Sequence, residues 1–212
     1  MQRLRHCAPD VLGMPHNPTG AVLTEQDIAE IGGVAKKHDL WLLVDEVYDE
    51  MVFNDAPLFT PLSHPDLANR VIVMSSISKT HAAPGFRSAW CVVPADFCSK
   101  LLPLSEGMLF GNQPFIADAT VVDVKGPSPV VQGMCKRFSG RAKRLEELLH
   151  GHTKLKVQKP EAGMFALVNV SCTGMSGKSY AMDLLLNGGV GVIPRCSYDR
   201  DVRIRFRLLK KH

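Results

Sequence analysis

The stretch Ser76-Ile77-Ser78-Lys79-Thr80-His81-Ala82-Ala83-Pro84-Gly85-Phe86-Arg87 decides how the rest of the chain is read. Before it, Val71-Ile72-Val73-Met74 is continuous, apolar and β-branched, the pattern of a strand buried on both faces of a parallel sheet. Ser75 and Ser76 end that run, so Lys79 emerges at the carboxyl end of the strand, where open α/β sheets bind ligands. A lysine held there can shed its proton and form an imine with an aldehyde. Ser76 before it and Arg87 after it are both suited to holding a phosphate. Lysine imine and phosphate grip together point to pyridoxal phosphate.

Two further motifs precede this one. Val11-Leu12-Gly13-Met14 reads as a short strand closed by Pro15, followed by His16-Asn17-Pro18-Thr19-Gly20, a turn by its local chemistry. Leu40-Trp41-Leu42-Leu43-Val44 is a second buried strand, with Asp45 at its carboxyl end and Glu46-Val47-Tyr48 following. A carboxylate closing an apolar strand must be paired or capped, because burying it alone is costly. Taken singly, the Asn17 tetrapeptide also reads as a surface turn, Asp45 as a turn cap and Tyr48 as packing.

Asn17-Pro18-Thr19-Gly20, Asp45-Glu46-Val47-Tyr48 and Ser76-Ile77-Ser78-Lys79 with Gly85 and Arg87, in that order, resemble the signature of the class I aminotransferases, the fold-type I pyridoxal phosphate enzymes. The resemblance implies part of their large α/β domain, a mostly parallel sheet with helices on both faces, plus a small α+β C-terminal domain. It implies Lys79 as the catalytic cofactor lysine, Ser76 and Arg87 as phosphate anchors, and Asp45 as the partner of the ring nitrogen. Asn17 and Tyr48 would face the ring oxygen, and a cis bond is expected before Pro18. In Val202-Arg203-Ile204-Arg205-Phe206, period-two alternation puts Arg203, Arg205 and Arg207 on one face. That pattern also describes a charged edge strand. By resemblance to the family's Val-Arg-Ile strand, Arg203 is chosen over Arg205 to hold the substrate α-carboxylate.

The expected boundaries are residues 1–127 for the large-domain part, 128–150 for a linking helix and 151–212 for the small domain. Thr24 with Asp27 starts a helix like a capping box, and Ile28, Ile31, Val34 and Ala35 follow at helical spacing. A long connection runs from Met51 to Asn69, and Ala89 to Val93 is a further strand. The helix begun at Ala95 is expected to break at Pro103. Gly107 to Pro114 resembles the family segment that reaches the neighbouring subunit, and reads equally as an apolar helix–turn passage. Ser128-Pro129 is expected to open the linking helix as N-cap and first residue. A turn entering a strand over 160–170, strands over 190–194 and 202–206 and a helix over 179–186 complete the small domain.

The 212 residues are 45% hydrophobic and 22% charged, with a net charge of +4, too mild and dispersed for a nucleic-acid partner. No apolar run is long enough to span a bilayer, and Met1 to His6 lacks the apolar core of a signal peptide. The six cysteines are scattered without a Cys-x-x-Cys pair, so reduced thiols in a cytoplasmic protein and no metal site are expected. His150 and His152 read as a solvated helix terminus. A homodimer is implied by the family.

The family chain is nearly twice this long, so an incomplete enzyme is expected, either a fragment or a truncated product. Ser88 stands where relatives carry an apolar residue, and Pro194 to Asp199 departs from their glycine-containing loop. Within the family, Ser78-Lys79-Thr80-His81-Ala82, Met108-Leu109-Phe110-Gly111 and Ala162-Gly163-Met164-Phe165 resemble the arginine:pyruvate transaminase type. Transamination between an amino acid (arginine or another basic or aromatic one) and a 2-oxo acid is the implied activity. A pyridoxal phosphate-dependent C–S β-lyase and an inactive remnant acting as a binding module are the alternatives.

Overall fold

The computed structural model describes residues 11–54, 56–109, 111–194 and 203–208. These form two compact units, one of Val22–Gln132 with the residues before His16, the other of Gly133–His212 with His16–Ala21.

In the first unit the sheet order is β1 (Leu12–Gly13), β2 (Leu42–Asp45), β3 (Val71–Ser76) and β4 (Ala89–Val92). β1, β2 and β3 run parallel, while β4 is antiparallel to β3. All three parallel strands therefore end on one edge, at Gly13, Asp45 and Ser76. Helix α1 (Glu25–Lys37) connects β1 to β2 and starts with the expected capping box, Thr24 and Asp27 each bonding the other's backbone N–H. Its buried Ile28 meets Met14, Val44, Val71 and Val73 in one apolar cluster. Each such side chain contributes about 1.5–3 kcal/mol on burial. The connection from β2 to β3 includes two short 3-10 turns, Pro61–Ser63 and Ala68–Arg70.

Lys79 lies in the one-turn helix α2 (Ile77–Thr80), whose N-cap is Ser76. Helix α3 (Ala95–Leu109) passes through Pro103, contrary to the expected break. The proline forfeits one backbone bond and crowds one carbonyl, and the flanking turns carry the helix on. Helix α4 (Pro114–Asp123) was not foreseen as a separate element. Helix α5 (Val131–Leu149) begins after, not at, Ser128-Pro129, because Ser128 is bonded elsewhere.

The second unit holds an antiparallel sheet in the order β5 (Lys156–Gln158), β6 (Phe165–Asn169), β8 (Arg203–Arg207), β7 (Ile193–Pro194). Helix α6 (Gly177–Gly188) is capped by Ser176 and stopped by Gly189 in the left-handed region, φ 65°. Val168, Val170, Ala181 and Ile204 make its core, flanked by Leu145 and Leu149 of α5. The division at Gln132–Gly133 falls in the first turn of α5 rather than at 127–128. The Asn17 turn joins the second unit instead of the large-domain part, for a packing reason. Gly20, φ 70°, lies so close to Pro160 and Ala162 that an added Cβ would come within 2.5 Å of the Pro160 Cβ. Its carbonyl also accepts the Glu161 N–H at 2.9 Å.

Candidate active site

In the first unit, hydrogen-bonding register sets the candidate site residues. Asp45 is paired in register with Met74, so the end of β2 adjoins the last residues of β3 and the turn that carries Lys79. The Asp45 carboxylate is half-buried and accepts the Val47 N–H at 3.1 Å, which bends the chain away from the strand. The Glu46 N–H bonds Met74 O at 2.9 Å and Ser75 Oγ reaches Glu46 O at 3.4 Å, stitching the two loops together. Tyr48 is buried in the turn that follows.

Lys79 is half-buried and Ser76 is buried, its hydroxyl accepting the Ser78 N–H at 3.3 Å. Arg87 is exposed, with φ 55°, and its guanidinium donates to Pro84 O at 3.0 Å. A left-handed conformation in a residue other than glycine costs energy and is frequent at ligand-holding loops. Next to it, Ser88 is buried and satisfied. Asn112 Nδ2 donates to its hydroxyl at 3.0 Å, and Thr120 Oγ1 lies 2.8 Å away. The departure from an apolar residue is thus absorbed by partners on and before α4.

Two carboxylates beside this edge are held above the usual carboxylate range. Burial raises Glu46, against the opposing pull of the Thr60 hydroxyl that donates to it at 2.5 Å. Burial likewise raises Asp49. Neither was singled out from the sequence, where both merged into an acidic run. His81 bonds Thr80 Oγ1 at 2.9 Å and Asp123 O at 3.2 Å. A carbonyl only accepts, so Nε2 carries the proton in the second of these bonds.

In the second unit the expected cis bonds include Asn17–Pro18, and Met14–Pro15 in the first unit is cis as well. Arg205 donates to Asn17 Oδ1 at 2.7 Å and lies over the Phe165 ring, 5.6 Å from its centre. The Arg205 Nε is buried and has no partner among the described residues. Arg203, the residue chosen from the sequence, is half-buried on the same face, paired in register with Asn169. The structure therefore brings Asn17 together with Arg205. The sequence carried a signal for it, since Arg205 shares the face; what it lacked was the packing of Phe165 and Asn17. Val202 and Cys196 lie outside the described residues.

Among the described residues no cluster of His, Cys, Asp and Glu could hold a metal ion, and no helix is long and apolar enough to cross a membrane. Cys91, Cys98 and Cys172 are free thiols.

Comparison with known proteins identifies the family. The arginine–pyruvate transaminase AruH of Pseudomonas aeruginosa is 36% identical over 182 residues, covering 86% of this chain and 46% of that protein. The aromatic-amino-acid aminotransferase 2 of Thermococcus litoralis is 28% identical over 194 residues, 89% of this chain and 49% of that protein. Among solved structures, the aromatic aminotransferase of Pyrococcus horikoshii superposes with a TM-score of 0.87 at 25% identity, covering 93% of this chain and 54% of its own. The chain spans about half the length of the relatives it matches. The model of the family "Aminotransferase class I and II" matches residues 11–209, and to that family this chain belongs.

Proposed function

We propose that this protein holds pyridoxal 5'-phosphate on Lys79 and transfers an amino group between an amino acid and a 2-oxo acid. The observation that supports this best is the shared edge of β2 and β3, where Asp45, Ser76 and Lys79 stand at adjoining carboxyl ends of parallel strands.

The donor set fits the cofactor group by group. Lys79 offers an amine for the aldehyde, and the Ser76 hydroxyl and Arg87 guanidinium suit the phosphate. Asp45 suits the pyridine nitrogen, and the Tyr48 hydroxyl and Asn17 amide suit the ring oxygen. When bound, the cofactor supplies an electron sink for charge developing at the substrate α-carbon. The Asp45 carboxylate would accept a hydrogen bond from the protonated ring nitrogen and so stabilise that proton. The Lys79 amine would take the proton from the substrate α-carbon as general base and, as general acid, deliver it to the carbon on the far side of the substrate nitrogen.

For the substrate carboxylate we choose Arg205 in place of Arg203. Arg205 is already aimed by Asn17 and Phe165, and its buried Nε has no partner among the described residues, which an incoming carboxylate would supply. Similarity to AruH and to an aromatic-amino-acid aminotransferase supports arginine, or another basic or aromatic amino acid, as donor. The same reading includes a homodimer in the cytoplasm.

The test is incubation with pyridoxal 5'-phosphate, borohydride reduction and peptide mapping. A visible absorbance band with the label on Lys79, both absent from Lys79→Ala, is the expected result. Loss of the band on adding arginine and a 2-oxo acid product would extend it to transamination. Pyruvate and thiol released from a cysteine conjugate would mark a β-lyase instead. No band and unlabelled Lys79 would leave this chain as a binding module or an inactive part of the fold.

A further inference from the structure

Helix α2 is one turn long and cannot satisfy its own last carbonyls. Lys79 O is used by the N–H groups of His81 and Ala82, and Ile77 O by that of Ala83. Thr80 O takes its bond from a distant residue: Ser128 Oγ donates to it at 2.7 Å. Both Thr80 and Ser128 are buried, 3% exposed each, so this bond is shielded from competing water. Ser128 has a second attachment. Its backbone N–H donates to Glu50 Oε2 at 3.0 Å, and Glu50 ends the turn that begins at Asp45 and contains Tyr48. The hydroxyl also accepts the Val130 N–H at 3.3 Å, so donor and acceptor capacities are both filled.

One residue thus joins the far ends of two loops whose near ends are already stitched together. The β2–β3 register pairs Asp45 with Met74, and the Glu46 backbone bonds Met74 O and Ser75 Oγ just beyond it. At the far ends, Ser128 bonds Thr80 O of the Lys79 turn and Glu50 Oε2 of the other turn.

The geometry points to Ser128 as a positioning residue for the Lys79 amine, one that holds the lysine turn against the Asp45–Glu50 turn by a hydroxyl bond on one side and an N–H bond on the other. This rests on the role proposed above for Lys79. Ser128 touches neither cofactor nor substrate in this role and acts through Thr80 and Glu50.

The test reads the Lys79 amine directly and without cofactor, by competitive acetylation of the intact chain across pH with quantification of each lysine-containing peptide. Ser128→Ala is expected to raise the acetylation rate of Lys79 about five-fold, the effect of losing one ordinary hydrogen bond, while Lys36 and Lys143 stay unchanged. Ser128→Thr, which keeps the hydroxyl, is expected to restore the wild-type rate. Glu50→Gln, which keeps the acceptor and removes its charge, should shift Lys79 in the same direction by less, and decides the matter if Ser128→Ala fails to fold. An unchanged Lys79 rate in Ser128→Ala or Glu50→Gln, with or without a lower melting temperature, overturns the proposal. Absence of borohydride-fixed label on wild-type Lys79 would overturn the proposed function instead and leave the acetylation contrast intact.

Discussion

Arg203, Arg205 and Arg207 follow one another at alternate positions, and nothing in that pattern ranks them. Packing ranks them. Arg205 is the one whose guanidinium meets Asn17 and the Phe165 ring, and whose Nε is left buried without a partner among the described residues. If it takes the substrate carboxylate, Arg205→Ala should weaken amino-acid binding about 100-fold, since charge-assisted bonds are worth roughly 1.5–3 kcal/mol each. Arg203→Ala should weaken it by less than about five-fold, in line with a charge outside the site. Titrating the cofactor-loaded protein with amino acid and following the spectral change separates the two; equal effects would return Arg203 to consideration. The residues carried by local motifs, Lys79, Asp45 and Asn17, were legible because each motif is a turn placed at a strand end. Arg205 depends on partners remote in sequence, and period-two alternation alone cannot supply them.

At the scale of elements, two acidic groups show opposite dependence on pH. Asp27, in the capping box of α1, is lowered by its bonds from the Thr24 hydroxyl and backbone N–H. Its ionised form is favoured by folding, so its contribution is present above the unfolded carboxylate value and fades as pH falls through the lower folded one. Asp27→Asn should therefore lower the melting temperature slightly at pH 7 and leave it unchanged in acid. Glu46 is raised by burial, so its stabilising contribution is complete below the unfolded value and is lost as pH rises through the higher folded one. Glu46→Gln keeps an acceptor for Thr60 and removes that loss. It should raise the melting temperature at pH 8 and change little at pH 4, and a lower value at pH 8 would contradict the role given to burial. Elements with strong periodicity or caps, such as α1, β2 and β3, were readable in advance. β5 is too short to show a period, and α4 has no buried residue to mark one face. The start of α5 shifted because the Ser128 hydroxyl serves Thr80 O.

The whole molecule raises the question of what covers its apolar surface. The helices α3 and α4 expose Leu102, Leu104, Met108, Phe115 and Val122, with Met108 at 76% and Val122 at 69%. Apolar side chains exposed to this extent on neighbouring turns are a candidate interaction surface. By resemblance, the segment from Gly107 to Pro114, which runs from the end of α3 to the start of α4, is expected to reach a neighbouring subunit, with an apolar helix–turn passage as the alternative. That expectation, together with the exposed side chains on either side of it, makes a second copy of this chain the occupant we propose. A specific interface of standard size buries about 1,600 Å² in total, more than scattered side chains would supply but within reach of two helices. Phe115→Glu with Val122→Glu places charge in this surface, and both side chains are already largely exposed, so folding should be unaffected. Sedimentation velocity should find the wild-type chain dimeric and the double variant monomeric, with matching melting temperatures. A wild-type chain that stays monomeric at tens of micromolar, a concentration at which about −7 kcal/mol of binding free energy would already show, would remove the homodimer from the proposed function.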